Sequence, residues 1–217
     1  MPPPGKRGKY LGFVAHEIKN PLATALWSCD LLKRMDAADR GGERAEKMID
    51  VSLRALRRMR RLIEDFFTIE RLLEHGYDLK QEKIALKDLV EPALHTLAEK
   101  DGISTDGWVV ELGNACTTGD SDMLRRAVRA SLEHMARGSL GPRLSVAARA
   151  DGANPALHIR AESAPIPLVP PEPEDRPSGD PTGAVLGFAL ASRILGFYGG
   201  RVEEREGGLW LVFPPAA

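Results

Sequence analysis

Phe13-Val14-Ala15-His16-Glu17-Ile18-Lys19-Asn20-Pro21-Leu22 decides how the rest of this sequence is read. On a helix, His16 and Asn20 stand four apart and share a face. Glu17 lies beside the histidine, where its carboxylate can bias the imidazole. Pro21 lacks an N–H, so the carbonyl of Glu17 loses its helical partner and a bend is expected there. A chain that only wanted a stable helix would not put a proline at that point. Around it Leu11, Val14, Ile18, Leu22, Ala25, Cys29 and Leu32 recur at three- and four-residue steps. That spacing predicts an amphipathic helix over residues 10–35, with His16 and Asn20 outside its stripe, toward solvent or a partner.

Residues 36–42, with Gly41 and Gly42 as punctuation, read as a turn. Residues 43–74 read as a second helix. There Met48, Ser52, Ala55, Met59, Leu62, Phe66, Ile69 and Leu73 alternate steps of four and three, a near-heptad seam. The other faces are basic, with Arg54, Arg57, Arg58, Arg60 and Arg61. Two long helices joined by a short turn form an antiparallel hairpin. A hairpin alone cannot bury its stripes, so pairing with a second copy into a four-helix bundle is the expected solution.

The bulk numbers set the limits. The chain has 217 residues, 43% hydrophobic and 28% charged, which suits one or two globular domains. A net charge of -1 argues against a general nucleic-acid-binding field. No apolar run approaches the ~20 residues that span a bilayer, so no membrane insertion is expected. Residues 1–9 have no apolar signal core and read as a disordered lead-in. Cys29 and Cys116 fall in different expected domains and read as free thiols of a reducing cytoplasm, which makes the expected location cytoplasmic.

After His75-Gly76, a helix end, the pattern changes to short strands mixed with helices. Strands are expected at 80–84 and 108–112, and helices at 86–99 and 121–137, the latter N-capped by Asp120 or Ser121. A hairpin is expected over 144–150 and 156–161, and an acid- and proline-rich loop over 165–182. An apolar helix at 183–198 and a last hairpin at 201–206 and 208–213 complete the chain. The mixture predicts an α+β sandwich, a sheet with helices on one face. Domains are therefore expected at 10–76 and 77–217.

This order of pieces resembles the core of a two-component sensor histidine kinase. His16-Glu17-Ile18-Lys19-Asn20-Pro21-Leu22 agrees at all seven positions with the common form of that family's phosphoacceptor box. Gly119-Asp120 before a helix resembles the entry to its first nucleotide motif, and Gly199-Gly200-Arg201-Val202 resembles its C-terminal end. The resemblance implies a dimerisation and histidine-phosphotransfer hairpin, followed by an α/β sandwich of the Bergerat-like ATP-binding type. It also implies roles: His16 as phosphoacceptor, Glu17 orienting the imidazole, and Asn20 orienting a water for receiver dephosphorylation. The implied partners are a response-regulator receiver domain and a second copy of the chain.

The nucleotide motifs depart from the family. Aligning residues 124–136 puts Ala130 and His134 where the family carries two asparagines, the second a magnesium ligand. Alanine offers no ligand, and neutral imidazole is a poor one for a metal that prefers hard oxygens. The family's aspartate-then-glycine adenine motif falls on residues 160–167, where no glycine remains and Glu162 is the best substitute. Gly183 and Gly187 keep two positions of the last glycine motif, with Val185 in the third. Glu162, Gly183 and Gly187 are thus the candidates for a vestigial nucleotide site. The fold is expected to be kept with ATP binding weakened or lost, so no cofactor is expected, and ATP with magnesium enters only if the site still works.

Three functions follow as expectations. One is a dimeric histidine phosphotransferase that exchanges phosphate between His16 and receiver aspartates. Another is an ATP-dependent histidine kinase with unusual nucleotide contacts. The third is a non-catalytic regulator that binds a receiver or a kinase. A phosphatase role resting on Glu17 and Asn20 sits between them.

Overall fold

The computed structural model describes residues 4–74, 80–137, 143–162 and 184–216. It divides into two compact units, Met1–Phe66 and Phe67–Ala217. The helix end expected at His75-Gly76 and the loop expected at 165–182 lie outside the described residues.

The predicted pair of long helices makes up the first unit, apart from the last two turns of the second helix, residues 67–74, which fall in the second unit. Helix α1 spans Pro4–Arg34 and α2 spans Glu43–Glu74. α1 begins at Pro4, within the nine residues expected to be an unstructured lead-in. Proline suits a first helical turn, where its missing N–H costs nothing and its φ is already set. The helix also runs through Pro21, which is buried. A short 3-10 turn, Asp39–Gly41, joins the helices. Arg40 stops α1 there, donating from Nε to the Met35 carbonyl (3.1 Å) and from NH2 to that of Lys33 (3.3 Å). These are carbonyls that the end of a helix leaves without partners.

The α2 seam stands at Ser52, Ala55, Leu62 and Ile69, which are buried, with Met48, Met59 and Phe66 half-buried. The α1 stripe stands only in part. Ala25 is buried as expected, but Leu22 and Cys29 are exposed, while Pro21 and Ser28, outside the expected stripe, are buried. Small side chains explain the rotation. They let the backbones approach until Ser52 Oγ donates to the Ala25 carbonyl at 3.5 Å and Cys29 Sγ lies 3.7 Å from Ser52 Oγ. Both cysteines are free thiols.

In the second unit, β1 (Glu82–Ala85) leads directly into α3 (Leu86–Asp101). There follow β2 (Val109–Glu111), β3 (Cys116–Gly119) and α4 (Ser121–Arg137). The remainder is β4 (Leu144–Asp151), β5 (Asn154–Ala161), α5 (Ala184–Phe197), β6 (Arg201–Arg205) and β7 (Gly208–Val212). Five strands form one sheet in the order β2-β4-β5-β7-β6, antiparallel except for β2 against β4. Leu157 and Ile159 face the same side as their partners Leu211 and Leu209, and all four are fully buried. Helix α4 packs on this sheet and against α3 and α5. The expected sandwich is present.

The strand over Cys116–Gly119 was not anticipated. It pairs antiparallel with β1, Ile84 opposite Thr117, as a separate two-stranded sheet. The end of the chain closes on it. Thr117 Oγ1 donates to the Pro214 carbonyl at 2.8 Å, and Thr117 bridges Pro215.

Candidate functional site

The backbone places His16 and Glu17 in α1, one turn before Asn20. Asn20 is exposed, and its carbonyl accepts a hydrogen bond from Thr24 Oγ1 at 3.1 Å. Pro21 cannot donate to Glu17, so this segment has a carbonyl without its usual helical donor. Ser28 repeats the side-chain bond lower down, donating to the Thr24 carbonyl at 2.9 Å. The next polar groups toward the C-terminus thus bond back to main-chain carbonyls along the helix.

The nucleotide-like positions sit in the second unit. Asp120 caps α4, its Oδ1 accepting from the N–H groups of Asp122 (3.0 Å) and Met123 (3.1 Å). Its own N–H donates to the Tyr198 hydroxyl at 3.2 Å, tying the end of α5 to the start of α4. Burial pushes the Tyr198 hydroxyl up to about 12, so it stays protonated and able to keep that contact through the neutral range. Sequence reasoning missed Tyr198, since nothing local to residue 198 points to residue 120.

Along α4, Ala130 and His134 are both 3% exposed. Gly187 of α5 lies against Ala130. A methyl group added at Gly187 would stand 3.4 Å from the Ala130 Cβ and 3.5 Å from its carbonyl oxygen. The fold therefore brings Gly187 together with the position where the family motif carries its first asparagine, and it does so by helix packing. Glu133 is turned to Arg129, its Oε2 accepting from NH1 at 3.0 Å. Glu162, just past β5, has an exposed side chain, and its N–H donates to the Arg143 carbonyl at 3.0 Å. Gly183 lies outside the described residues. Among those residues no cluster of three His, Cys, Asp or Glu side chains could hold a metal ion. No described helix is long and apolar enough to cross a membrane.

Residues 6–74 match the family model of the His Kinase A (phospho-acceptor) domain. No curated protein sequence matches the chain. Among solved structures it is similar to the histidine kinase AdeS of Acinetobacter baumannii, with 17% identity and a TM-score of 0.66. That match covers 93% of this chain and 98% of AdeS. A complex of the histidine kinase ThkA with the response regulator protein TrrA gives 18% identity and a TM-score of 0.58, over 95% of this chain and 60% of that one. Full-length ShkA in complex with AMPPNP gives 19% and 0.54, over 96% of this chain and 46% of ShkA. At such identities the likeness is one of fold.

Proposed function

We infer, from the His Kinase A match over residues 6–74 and the fold likeness of the chain to histidine kinases, that the chain is a two-component histidine kinase core that works mainly by histidine phosphotransfer, with ATP binding weakened or lost. His16 would be the phosphoacceptor. A lone pair of its neutral imidazole attacks the phosphorus of a receiver's aspartyl phosphate. The P–N bond forms, the P–O bond to the aspartate breaks, and the carboxylate leaves. Glu17 would hold the other ring nitrogen as a donor and take up the positive charge's partner role while the imidazole is phosphorylated. Transfer to a second receiver reverses the same bonds.

The observation that carries the reading is the chemistry at Ala130 and His134. A buried methyl group, packed against Gly187 of α5, and a buried imidazole one turn further along α4 offer magnesium no oxygen ligand. These residues do not suit magnesium-bound ATP. The complex of ThkA with a response regulator supports a receiver domain as partner for this chain. A homodimer is supported by the apolar side chains the hairpin leaves exposed, with Leu22, Leu26 and Trp27 on α1 and Ile49, Leu53, Leu56 and Ile63 on α2. Joined face to face, such stripes make a four-helix bundle.

The test compares two phosphate sources. A labelled phospho-receiver is expected to label the protein within minutes, while labelled ATP with magnesium leaves it unlabelled and its Tm unmoved. Labelling from ATP would establish the kinase reading instead, and labelling from neither would leave a non-catalytic regulator. A separate arm concerns Asn20. Asn20→Ala is expected to slow receiver dephosphorylation by roughly a hundredfold, the scale of a misplaced reacting group, while transfer to His16 stays intact. Equal loss of both would refute a water-orienting role.

A further inference from the structure

The face of the five-stranded sheet turned away from α4 carries a row of stacked side chains that the phosphotransfer reading does not use. Trp210 on β7 is 5% exposed and forms a small core with Ala156 and Val212. On one side His158, its cross-strand partner on β5, stacks on the indole with ring centroids 4.7 Å apart and planes 22° apart. The guanidinium of Arg205, at the end of β6, lies 4.0 Å from the indole centroid. Arg205 is held in turn by Asp151, whose Oδ1 accepts from its NH2 at 2.7 Å, and Arg201 also donates to Asp151. The row thus runs across β4, β5, β7 and β6, and it fastens the edge strand to the sheet.

His158 is the titratable member. Its Nε2 is buried, with no hydrogen-bond partner among the described residues. It lies over Gly208, where an added Cβ would stand 2.5 Å from Nε2 and 2.7 Å from the Ile159 carbonyl oxygen. A proton on Nε2 would therefore point a new donor into packed backbone. The charged groups around the ring are Arg149 from β4, Arg160 on its own strand, and Arg205 and Glu206 from the β6–β7 turn. Three are cations and one is an anion, so the surroundings favour neutral imidazole. The indole would attract an imidazolium, but the same ring already holds the Arg205 guanidinium 4.0 Å from its centroid, and two cations about one ring repel.

We propose that His158 is a proton-sensitive latch: neutral, it stacks on Trp210 and keeps the β6–β7 hairpin closed on the sheet, and protonated, it releases that hairpin. Burial first, and then Arg149, Arg160 and Arg205, hold the imidazole below its ordinary range, with Glu206 opposing. The sign follows from linkage. An unfolded or opened chain takes up this proton near the usual value of about 6.5, while the closed form takes it up only at lower pH. The stabilisation is present in full above about pH 6.5 and is lost as pH falls below it.

The experiment uses the whole chain and two measurements. Thermal melts from about pH 7.5 to 5 are expected to show Tm falling with pH in the wild type, and much less so in His158→Phe, which keeps an aromatic ring but cannot titrate. Imidazole NMR of the wild type is expected to place the His158 midpoint below about 6.5. At pH values beneath that midpoint, the amides of Leu209, Trp210 and Leu211 should exchange faster after correction for intrinsic rates. A midpoint at or above 6.5, or an unchanged pH dependence in the variant, would overturn the latch. Should His158→Phe not fold, the wild-type midpoint and amide exchange decide alone.

Discussion

Replacing His16 by alanine is expected to abolish labelling by a phosphorylated receiver, a loss of roughly a thousandfold or more, as for any removed nucleophile. Alanine is the best helix former, so α1 should persist, and circular dichroism should show unchanged helix content. The retained label in wild type should be acid-labile and stable in base, as a P–N bond is and an acyl phosphate is not. His16→Ala should still bind the receiver, because docking area and nucleophile are separate properties of the helical hairpin. Label that survives in the variant with P–N chemistry would move the acceptor to His75, His95, His134 or His158, the other four of the chain's five histidines. Of these, His134 is buried and His158 is packed on Trp210, which leaves few alternatives for a reacting partner to reach.

Gly200→Ala is expected to destabilise the second unit by about 3 kcal/mol, at the upper end for overpacking. An added Cβ would stand 2.3 Å from the Val212 carbonyl oxygen and 3.4 Å from Phe213 Cα. Both are backbone atoms of the neighbouring strand and tail, so no rotamer change relieves the clash. The Gly200 N–H also donates to the Leu195 carbonyl at 2.8 Å, which fixes its position at the exit of α5. At this chain length the loss corresponds to a Tm lower by roughly 6–12 °C. Gly196→Ala supplies the comparison. It lies within α5 with nothing within 4 Å of an added Cβ, and alanine should be neutral or stabilise by up to ~1 kcal/mol. Denaturant melts of the two variants measure the difference. A Gly200→Ala protein as stable as wild type would mean that β6 can slide along β7.

The long helices were legible because their signals are local. Steps of three and four over thirty residues leave little choice, and the seam through Ser52, Ala55, Leu62 and Ile69 is buried as the spacing demands. Apolarity alone picks out Ala25 correctly, but the hairpin also selects small size, which is why Pro21 and Ser28 lie inward ahead of Leu22 and Cys29. β3 escaped notice because Cys-Thr-Thr-Gly has no apolar alternation. Its pairing with β1, more than thirty residues earlier in the sequence, is a tertiary fact. The candidate site divides in the same way. The box around His16 is contiguous and could be read at once. The Ala130–Gly187 contact and the row through Asp151, Arg205, Trp210 and His158 join distant segments, and no spacing within any one of them announces the others.

The tie between Thr117 and Pro214 has a consequence for how the protein is made. These residues are 97 apart in sequence, and their hydrogen bond closes the two-stranded sheet onto the last segment of the chain. During synthesis α1 and α2 can form as soon as they leave the ribosome, since their contacts are short-range. The second unit must wait for residues 208–215, because β7 lies between β5 and β6 and the tail completes the small sheet. Contacts of such long range are slow to form. The nascent protein therefore passes through an interval in which a finished helical hairpin precedes an α/β domain with β5 still an uncovered edge, the stage at which a chaperone or a second nascent chain would meet it.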